Sequence, residues 1–275
     1  MTPADARQHF LRIASLPDER IDLAEAALFV AAEEYAELDV AAALATLDAL
    51  ADAARGDVER AAGPREKLIA LARFLHEAEG FRGNRSDYYD ARNSYLNEVL
   101  ARRTGIPITL ALVYVALGAR LGLPLRGVGF PGHFLVRCDA PVPLVLDPFE
   151  GTVLERDECE QRWSATVSDA PFDPRALEPS PAHAILARLL GNLKQIHLAQ
   201  QDWTRALASV ERILALSPDA PAELRDRGLL FARLECFAAA AADLRRFLAL
   251  APEDPSADAV RSQLVELAKS APALH

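Results

Sequence analysis

The chain has 275 residues, of which 51% are hydrophobic and 25% charged, so it is long enough for one large globular domain or two ordinary ones. Its 30 basic and 40 acidic residues give a formal charge of −10, which argues against nucleic acid and anionic membrane surfaces as partners. The three cysteines show neither a disulfide nor a zinc-site pattern, and no apolar run reaches the roughly 20 residues of a membrane span. We therefore expect a cytoplasmic protein without a metal or cofactor.

The N-terminal segment, residues 3–80, carries a helical pattern. Apolar side chains recur on one side of segments 22–38, 40–53 and 65–79, with acidic residues on the other side. These periods predict three amphipathic helices that wrap a common core.

Residues 80–92 break this pattern with turn formers and tyrosines. The polar residues Asn84, Tyr88, Asn93 and Ser94 are more than a spacer requires, and such loops often line a site. The alternative is that the tyrosines pack as a lid with satisfied hydroxyls. Both interpretations remain open.

The next segment predicts a buried central helix. Gly105, Ile106 and Pro107 open it, residues 108–121 are apolar on nearly every face, and Gly122 closes it. A thiol at its start would be activated by the helix dipole, but the chain has no cysteine there.

Residues 134–138 and 144–146 predict two antiparallel strands joined by a proline-bearing loop. If the turn is centred near Ala140, His133 lies directly opposite Asp147 on the same face. A carboxylate that orients an imidazole raises the basicity of the ring. The imidazole and the carboxylate together then form the base half of a nucleophilic triad. The pair is therefore a candidate catalytic dyad whose nucleophile is missing.

Four blocks in order along this region, DYYDARNSYLN, GIPITL, GFPGHFLVR and DPF, resemble the SirB family of bacterial transglutaminase-like (papain-like) proteins, in which such a domain precedes tetratricopeptide repeats. The resemblance implies that His133 and Asp147 occupy the superfamily's catalytic His and Asp positions. It also places the superfamily's cysteine on or near Pro107, so cysteine chemistry is not expected here.

Other nucleophiles are weaker candidates. Alternation along the strand points Cys138 to the opposite face from His133. The hydroxyls of Ser94 and Thr109 could reach the site, but Ser94 also fits a helix N-cap and Thr109 a first-turn position.

The chain after Phe149 predicts one more short strand, then a linker and a helical tail. LALSP at 214–218 recurs as LALAP at 248–252, and this offset is the tetratricopeptide period of about 34 residues. Trp203 and Ala206 match Phe237 and Ala240 at the same offset, whereas Lys194 stands where the second unit has Gly228. Two repeats and a capping helix at 256–269 are expected, either as a peptide-binding surface or as a structural extension.

These observations predict an α+β transglutaminase-like domain, with a small antiparallel sheet around a buried helix, at 1–160. A linker at 161–180 and an all-α tetratricopeptide tail at 181–275 follow. The favoured function is a non-catalytic scaffold that binds a protein or peptide through the tail or the cleft. The alternative is a hydrolase or acyltransferase on peptide or amide bonds that uses His133 and Asp147 with a non-cysteine nucleophile or water.

Overall fold

A computed structural model describes residues 1–167 and 170–270, and the chain divides into two compact units between Ile185 and Leu186. The first unit is therefore longer than predicted. The helix Arg156–Thr166 extends into the predicted linker, and Phe172, Ala176 and Leu177 pack on the apolar cluster that covers the sheet. Most of the segment predicted as a linker at 161–180 thus belongs to the first domain, because its apolar side chains have a surface to bury.

The first unit begins with four helices: α1 Pro3–Ala14, α2 Leu23–Glu34, α3 Val40–Arg60 and α4 Pro64–Arg73. Helix α2 is buried at every residue from 26 to 32, whereas an amphipathic helix was predicted there. Side chains of Thr2, Asp22 and Asp39 accept hydrogen bonds from the first free amides of α1, α2 and α3. The third helix is longer than its predicted span, because Ala54 and Val58 continue its buried face. Helix α4 continues directly into a π-helical turn, Phe74–Ala78.

The buried centre of the first unit is α6 Pro107–Leu121, as predicted. Every residue from Pro107 to Tyr114 is buried, and Gly122 ends the helix in a left-handed conformation. The shorter α5 Leu96–Arg102 precedes it. A parallel pair of two-residue strands, β1 Arg82–Gly83 and β2 Thr104–Gly105, anchors the loop between α4 and α5 beside the start of α6.

The main sheet is antiparallel and follows chain order: β3 Leu125–Val128, β4 Leu135–Cys138, β5 Leu144–Asp147 and β6 Thr152–Leu154. Leu125 packs against α6 where Gly118 leaves room for it. The opposite face carries Val128, Leu135, Val145 and Leu154, and is covered by α7 Arg156–Thr166 and the turn Pro174–Leu177. The sheet is thus held between α6 and α7.

The register of the hairpin differs from the prediction. Val136 pairs with Leu146, which centres the turn at Pro141 instead of Ala140 and brings Leu135 opposite Asp147. The shift moves each partner by two residues, so every side chain keeps its face of the sheet.

The second unit is a helical repeat array. Helix α8 Ala182–Ala199 spans the boundary between the units, and α9 Trp203–Leu216, α10 Pro221–Arg233, α11 Phe237–Leu250 and α12 Ala257–Ser270 follow it. Helices α9 and α11 are of equal length and keep the offset of the sequence repeat at both ends.

The two repeats differ at one contact. Gly228 lets α10 approach Leu244 of α11, whereas Lys194 is buried at the equivalent place and binds Glu223 and Asp226 at 2.8 and 2.9 Å. In the described parts of the chain, no helix combines the length and hydropathy needed to cross a bilayer.

Candidate functional site

His133 and Asp147 are in direct contact at one end of the main sheet. His133 lies in the turn before β4 and Asp147 is the last residue of β5, with His133 Nε2 2.9 Å from Asp147 Oδ1. The two residues are not the directly opposed partners that we predicted, because the register places Leu135 opposite Asp147. His133 reaches the carboxylate diagonally, from a position two residues outside the pair but on the same face.

The carboxylate of Asp147 is buried completely and has several partners. Oδ1 also accepts the amide N–H groups of Phe149 and Glu150 at 2.8 and 3.4 Å, and Oδ2 lies 2.9 Å from Nη1 of Arg162 on α7. Burial alone would raise the pKa of Asp147, but the hydrogen bond and charge of His133, the Phe149 amide and Arg162 lower it below its ordinary value. Asp147 is therefore ionised, and its carboxylate connects β5 with α7 and with the turn that follows β5.

Two further titratable side chains lie near this carboxylate. His76, in the π-helical turn, has Nε2 3.2 Å from the carbonyl oxygen of Pro148, and its ring lies 6.4 Å from that of Tyr114 on α6. Burial lowers the pKa of His76, while burial and the charge of Asp147 raise the pKa of Tyr114. The buried Tyr114 hydroxyl has no hydrogen-bond partner among the described residues. Both side chains are thus neutral at neutral pH.

Sequence reasoning did not identify Arg162, His76 or Tyr114 as members of this site. Arg162 and His76 lie on helices with ordinary polar patterns, and Tyr114 was included in the apolar core helix. The nearest sequence signal is Gly151, where a Cβ would lie 2.5 Å from the His76 ring. Gly151 also has a positive φ of 71°, which by itself accounts for a glycine in this turn, so the residue type does not predict the contact.

The two asparagines predicted to line a pocket instead make hydrogen bonds within their own loop. Asn84 Nδ2 donates to Asn93 Oδ1 at 3.0 Å, and Asn84 Oδ1 accepts the amide N–H of Asp87. Asn93 Nδ2 donates to the carbonyls of Asp87 and Tyr88 at 2.7 and 3.2 Å. Both side chains are buried, and these bonds hold residues 84–93 in one compact turn beside the site.

Phe149 joins this loop to the histidine. Its ring centroid lies 6.3 Å from those of both His133 and Tyr88, and Arg85 stacks on it at 5.4 Å. A Cβ on Gly83 would lie 2.3 Å from the Phe149 ring. An aromatic side chain therefore fills the space between His133 and the β1–β2 ladder that leads into α6. Tyr88 forms the outer edge of this packing and is 43% exposed.

The two candidate hydroxyls have different environments. Thr109 Oγ1 accepts the amide N–H of Ile106 at 3.2 Å and lies 2.7 Å from the Asn93 carbonyl to which it donates, so it is a structural group of the first turn of α6. Ser94 is not the N-cap considered above, because α5 starts at Leu96 and Tyr95 takes that position. Its buried Oγ has no hydrogen-bond partner among the described residues.

Neither of the two buried cysteines has the environment of an activated thiol. Burial raises the pKa of Cys138, which pairs with Leu125 and Leu144 on the side of the sheet facing α6. Burial raises the pKa of Cys159 to about 11 in the apolar cluster under α7. Cys236 lies in the repeat tail. Within residues 1–167 and 170–270, no three His, Cys, Asp or Glu side chains converge as metal ligands.

Comparison with known proteins agrees with this architecture. Residues 41–191 match the family profile described as the transglutaminase-like superfamily, and residues 193–265 match a tetratricopeptide repeat profile. The chain is 28% identical over 232 residues to the protein SirB1 of Salmonella typhimurium, with 83% of this chain and 86% of that protein covered. It is also 40% identical over 263 residues to a UPF0162 protein of Xylella fastidiosa, with 93% of each covered.

The chain belongs to the SirB family of transglutaminase-like proteins. The Escherichia coli relative, UPF0162 protein YchA, is 31% identical over 213 residues, with 76% of this chain and 78% of that protein covered. No solved structure gives a significant match. The predicted SirB-family order, a transglutaminase-like α+β domain followed by tetratricopeptide repeats, is confirmed.

Proposed function

We propose that this SirB-family chain is a non-catalytic scaffold that binds a protein or peptide, and that His133 and Asp147 persist as a structural pair. The packing of Phe149 carries this proposal. Its ring lies 6.3 Å from that of His133 and against Gly83 of the β1–β2 ladder, so an apolar side chain takes up room beside the imidazole that a substrate would need.

The chemistry of the surrounding groups supports the same conclusion. Cysteine catalysis needs a thiol within hydrogen-bond reach of the imidazole. The start of α6, where the family resemblance places that thiol, is occupied by Ile106 and Pro107. The carboxylate of Asp147 also binds Arg162 and two amides, which gives the His–Asp pair a role in holding α7 to the sheet.

The repeat tail supplies the binding function in this proposal. Repeat arrays present side chains from successive helices on one extended surface, which suits a peptide or protein segment. The acidic balance of the whole chain disfavours nucleic acid and anionic membranes as partners. We place the protein in the cytoplasm on the basis of its cysteine usage.

A hydrolase or acyltransferase is the second candidate. Two observations favour it: an ionised, fully buried Asp147 orients His133, and the buried Ser94 hydroxyl lacks a partner among the described residues. In this alternative His133 is the general base, and a hydroxyl or water attacks the peptide or amide carbonyl.

A fluorophosphonate probe for activated hydroxyls distinguishes the two. We expect the wild type and the His133→Ala variant to be labelled equally weakly, and to show the same background hydrolysis of a fluorogenic peptide library. The Ser94→Ala variant is the matched control for the hydroxyl. Labelling or turnover that is present in the wild type and absent from both variants, with circular dichroism unchanged, would establish the enzyme instead. Crosslinking in bacterial extract tests the scaffold, because the partners recovered should be unchanged by His133→Ala.

A further inference from the structure

A groove of about 540 Å³ crosses the helices of the tail. Its apolar lining comes from Leu198 near the end of α8, Trp203 at the start of α9, and Leu229 and Leu230 on α10, and Gln263 of α12 adds a polar side chain. Leu229 is 39% exposed, so its side chain remains available for contact. The groove is thus an apolar surface shared by successive helices.

One cation in this groove lacks an acidic partner. Arg233 stacks on the Trp203 ring, with Cζ 5.5 Å from the ring centroid, and makes no hydrogen bond or ion pair with any residue in 1–167 or 170–270. Other arginines of the tail are paired with acids: Arg205 with Asp202, Arg225 with Asp226, Arg227 with Asp243, Arg246 with Asp219, and Arg261 with Asp258. The stacked guanidinium of Arg233 keeps its in-plane N–H groups available for a ligand.

The acidic groups near the groove do not neutralise Arg233. Asp226 lines the groove, but its carboxylate is bound by Lys194 at 2.9 Å and Arg225 at 2.8 Å. Residues 186–275 contain eleven basic and eleven acidic residues, so the charge of −10 lies in the first unit. An anionic ligand at this groove is therefore not repelled by the tail itself.

We infer that this groove binds an extended protein segment in which an Asp or Glu side chain pairs with Arg233 and a neighbouring apolar side chain packs on Trp203 and Leu229. The inference rests on the proposed scaffold function and names the chemistry of its partner. A planar guanidinium that is already stacked forms two parallel hydrogen bonds with a carboxylate at little cost in side-chain entropy. The adjoining apolar surface provides the rest of the affinity.

The shape of the groove favours an internal segment over a chain end. Asp226 and Arg233 both line it and lie about two helical turns apart on α10, a rise of about 10 Å, which is the length of about three residues in extended conformation. The lining also includes residues of α8, α9 and α12, so the groove extends beyond Arg233 and a bound chain can continue past it. We therefore assign the anion to a side chain and not to a terminal carboxylate.

An array of eight-residue peptides, probed with the full-length protein, tests this inference. Each peptide carries Leu or Phe beside Glu, Gln or Lys, and each is made with a free and an amidated C-terminus. We expect the Glu peptides to bind at least about tenfold more tightly than the Gln peptides, whether or not the terminus is amidated. Lys peptides should be the weakest.

Matched variants locate the contact. Arg233→Glu should remove the preference for Glu, and Arg233→Lys should reduce it because a point charge cannot form the paired bonds. Arg245→Glu is the control, because Arg245 is exposed on α11, has no partner among the described residues and does not line the groove. Equal binding of Glu and Gln peptides, or equal loss in the Arg233→Glu and Arg245→Glu variants, would overturn the inference and leave a scaffold with another partner chemistry. Dependence on the free C-terminus would overturn it as well, by reassigning Arg233 to a chain end.

Discussion

Arg162 of α7 lies against the carboxylate of Asp147, with Nη1 2.9 Å from Oδ2, on the opposite oxygen from His133. Removal of this buried carboxylate leaves an imidazole and two amides without their acceptor, and the Arg162 guanidinium without its counter-charge. We expect Asp147→Ala to lower the free energy of unfolding by about 3–5 kcal/mol, as for other broken buried ion pairs. Urea denaturation monitored by circular dichroism measures the loss.

Two variants calibrate that result. Glu37→Ala removes an exposed carboxylate and should change stability by less than about 0.5 kcal/mol. His133→Ala leaves Arg162 and the amides on Asp147 and should cost only about 1 kcal/mol. A loss for Asp147→Ala no larger than that for Glu37→Ala would show that the carboxylate does not hold α7 to the sheet.

Gly83 and Phe149 should be coupled energetically. A Cβ at position 83 would lie 2.3 Å from the Phe149 ring, so Gly83→Ala must displace that ring. We expect Gly83→Ala to cost about 1–3 kcal/mol in the wild type, as for other overpacked sites, and much less in a Phe149→Ala background. A double-mutant cycle of unfolding free energies measures the coupling, and additive losses would contradict the packing described for Phe149.

The position of the Phe149 ring should also limit the access of reagents to the His133 imidazole. If the Phe149 ring closes the space beside His133, its truncation should speed the reaction of His133 with diethylpyrocarbonate, followed by mass spectrometry of the peptide. The Phe130→Ala variant is a suitable comparison, because Phe130 is buried in the cluster under α7. Equal rates in the wild type and the Phe149→Ala variant would mean that the ring does not limit access.

His183 should make the stability of the first unit depend on pH. Its Nδ1 lies 2.7 Å from Asp18 and its Nε2 lies 3.0 Å from the carbonyl of Ala14. Burial alone would lower the pKa of His183, but the Ala14 carbonyl and the Asp18 carboxylate raise it above its ordinary value of 6.5. The folded-state pKa thus exceeds the unfolded one, so the stabilisation is complete below about pH 6.5 and is lost as the pH rises through the folded value.

Thermal unfolding between pH 5.5 and 8.5 tests the sign. The difference in Tm between the wild type and the His183→Gln variant should shrink as the pH rises. Asp18→Asn should flatten the same dependence, because it removes the charge that favours the imidazolium. A difference that grows with pH would reverse the assignment.

Lys194 should be essential for the contact between the first helices of the two repeats. Its buried ammonium lies 2.8 Å from Glu223 and 2.9 Å from Asp226, and these acids outweigh burial so that the pKa of Lys194 is raised. Lys194→Ala leaves Glu223 without a cation and Asp226 with Arg225 as its one remaining cation among the described residues, and should lower the stability of the tail by about 3 kcal/mol. Hydrogen exchange of amides in α8 and α10 measures this.

The triple variant Lys194→Met, Glu223→Gln, Asp226→Asn is the control for that loss, because it removes the ammonium and both carboxylates together and leaves Arg225 with its hydrogen bond to Ser256. It should recover most of the protection. If Lys194→Ala alone leaves exchange in α8 and α10 unchanged, the cluster contributes no stability.

The elements that could be predicted from sequence are those fixed by a period. The repeat offset located α9 and α11, and the apolar run after Pro107 located the buried helix. The contact between His133 and Asp147 was expected from alternation, which survives a register shift of two residues although the direct pairing does not. The period of a sequence predicts the helix or strand and the face on which a side chain lies more reliably than it predicts which residue is paired with it on the neighbouring strand.

Contacts between elements far apart in the chain had no such signal. Arg162 reaches Asp147 only because α7 folds back over the sheet, and the sequence of α7 is polar throughout most of its length. Ser94 was a candidate N-cap by residue type. In the structure the carboxylate of Asp90 caps a 3₁₀ turn at Ala91–Asn93 instead, and α5 starts only at Leu96. Local competition between turn types is not resolved by residue propensity alone.

The π-helical turn at Phe74–Ala78 has a consequence for how the chain tolerates insertions and deletions. Such a turn contains one residue more than the α-helix it interrupts, and each residue advances the helix by about 100°. Deletion of a single residue within 74–78 would restore regular winding, so the residues that remain in this turn would take other angles about the helix axis, which would carry the His76 imidazole off the Pro148 carbonyl. The length of this segment, as much as its residue types, specifies where that ring lies.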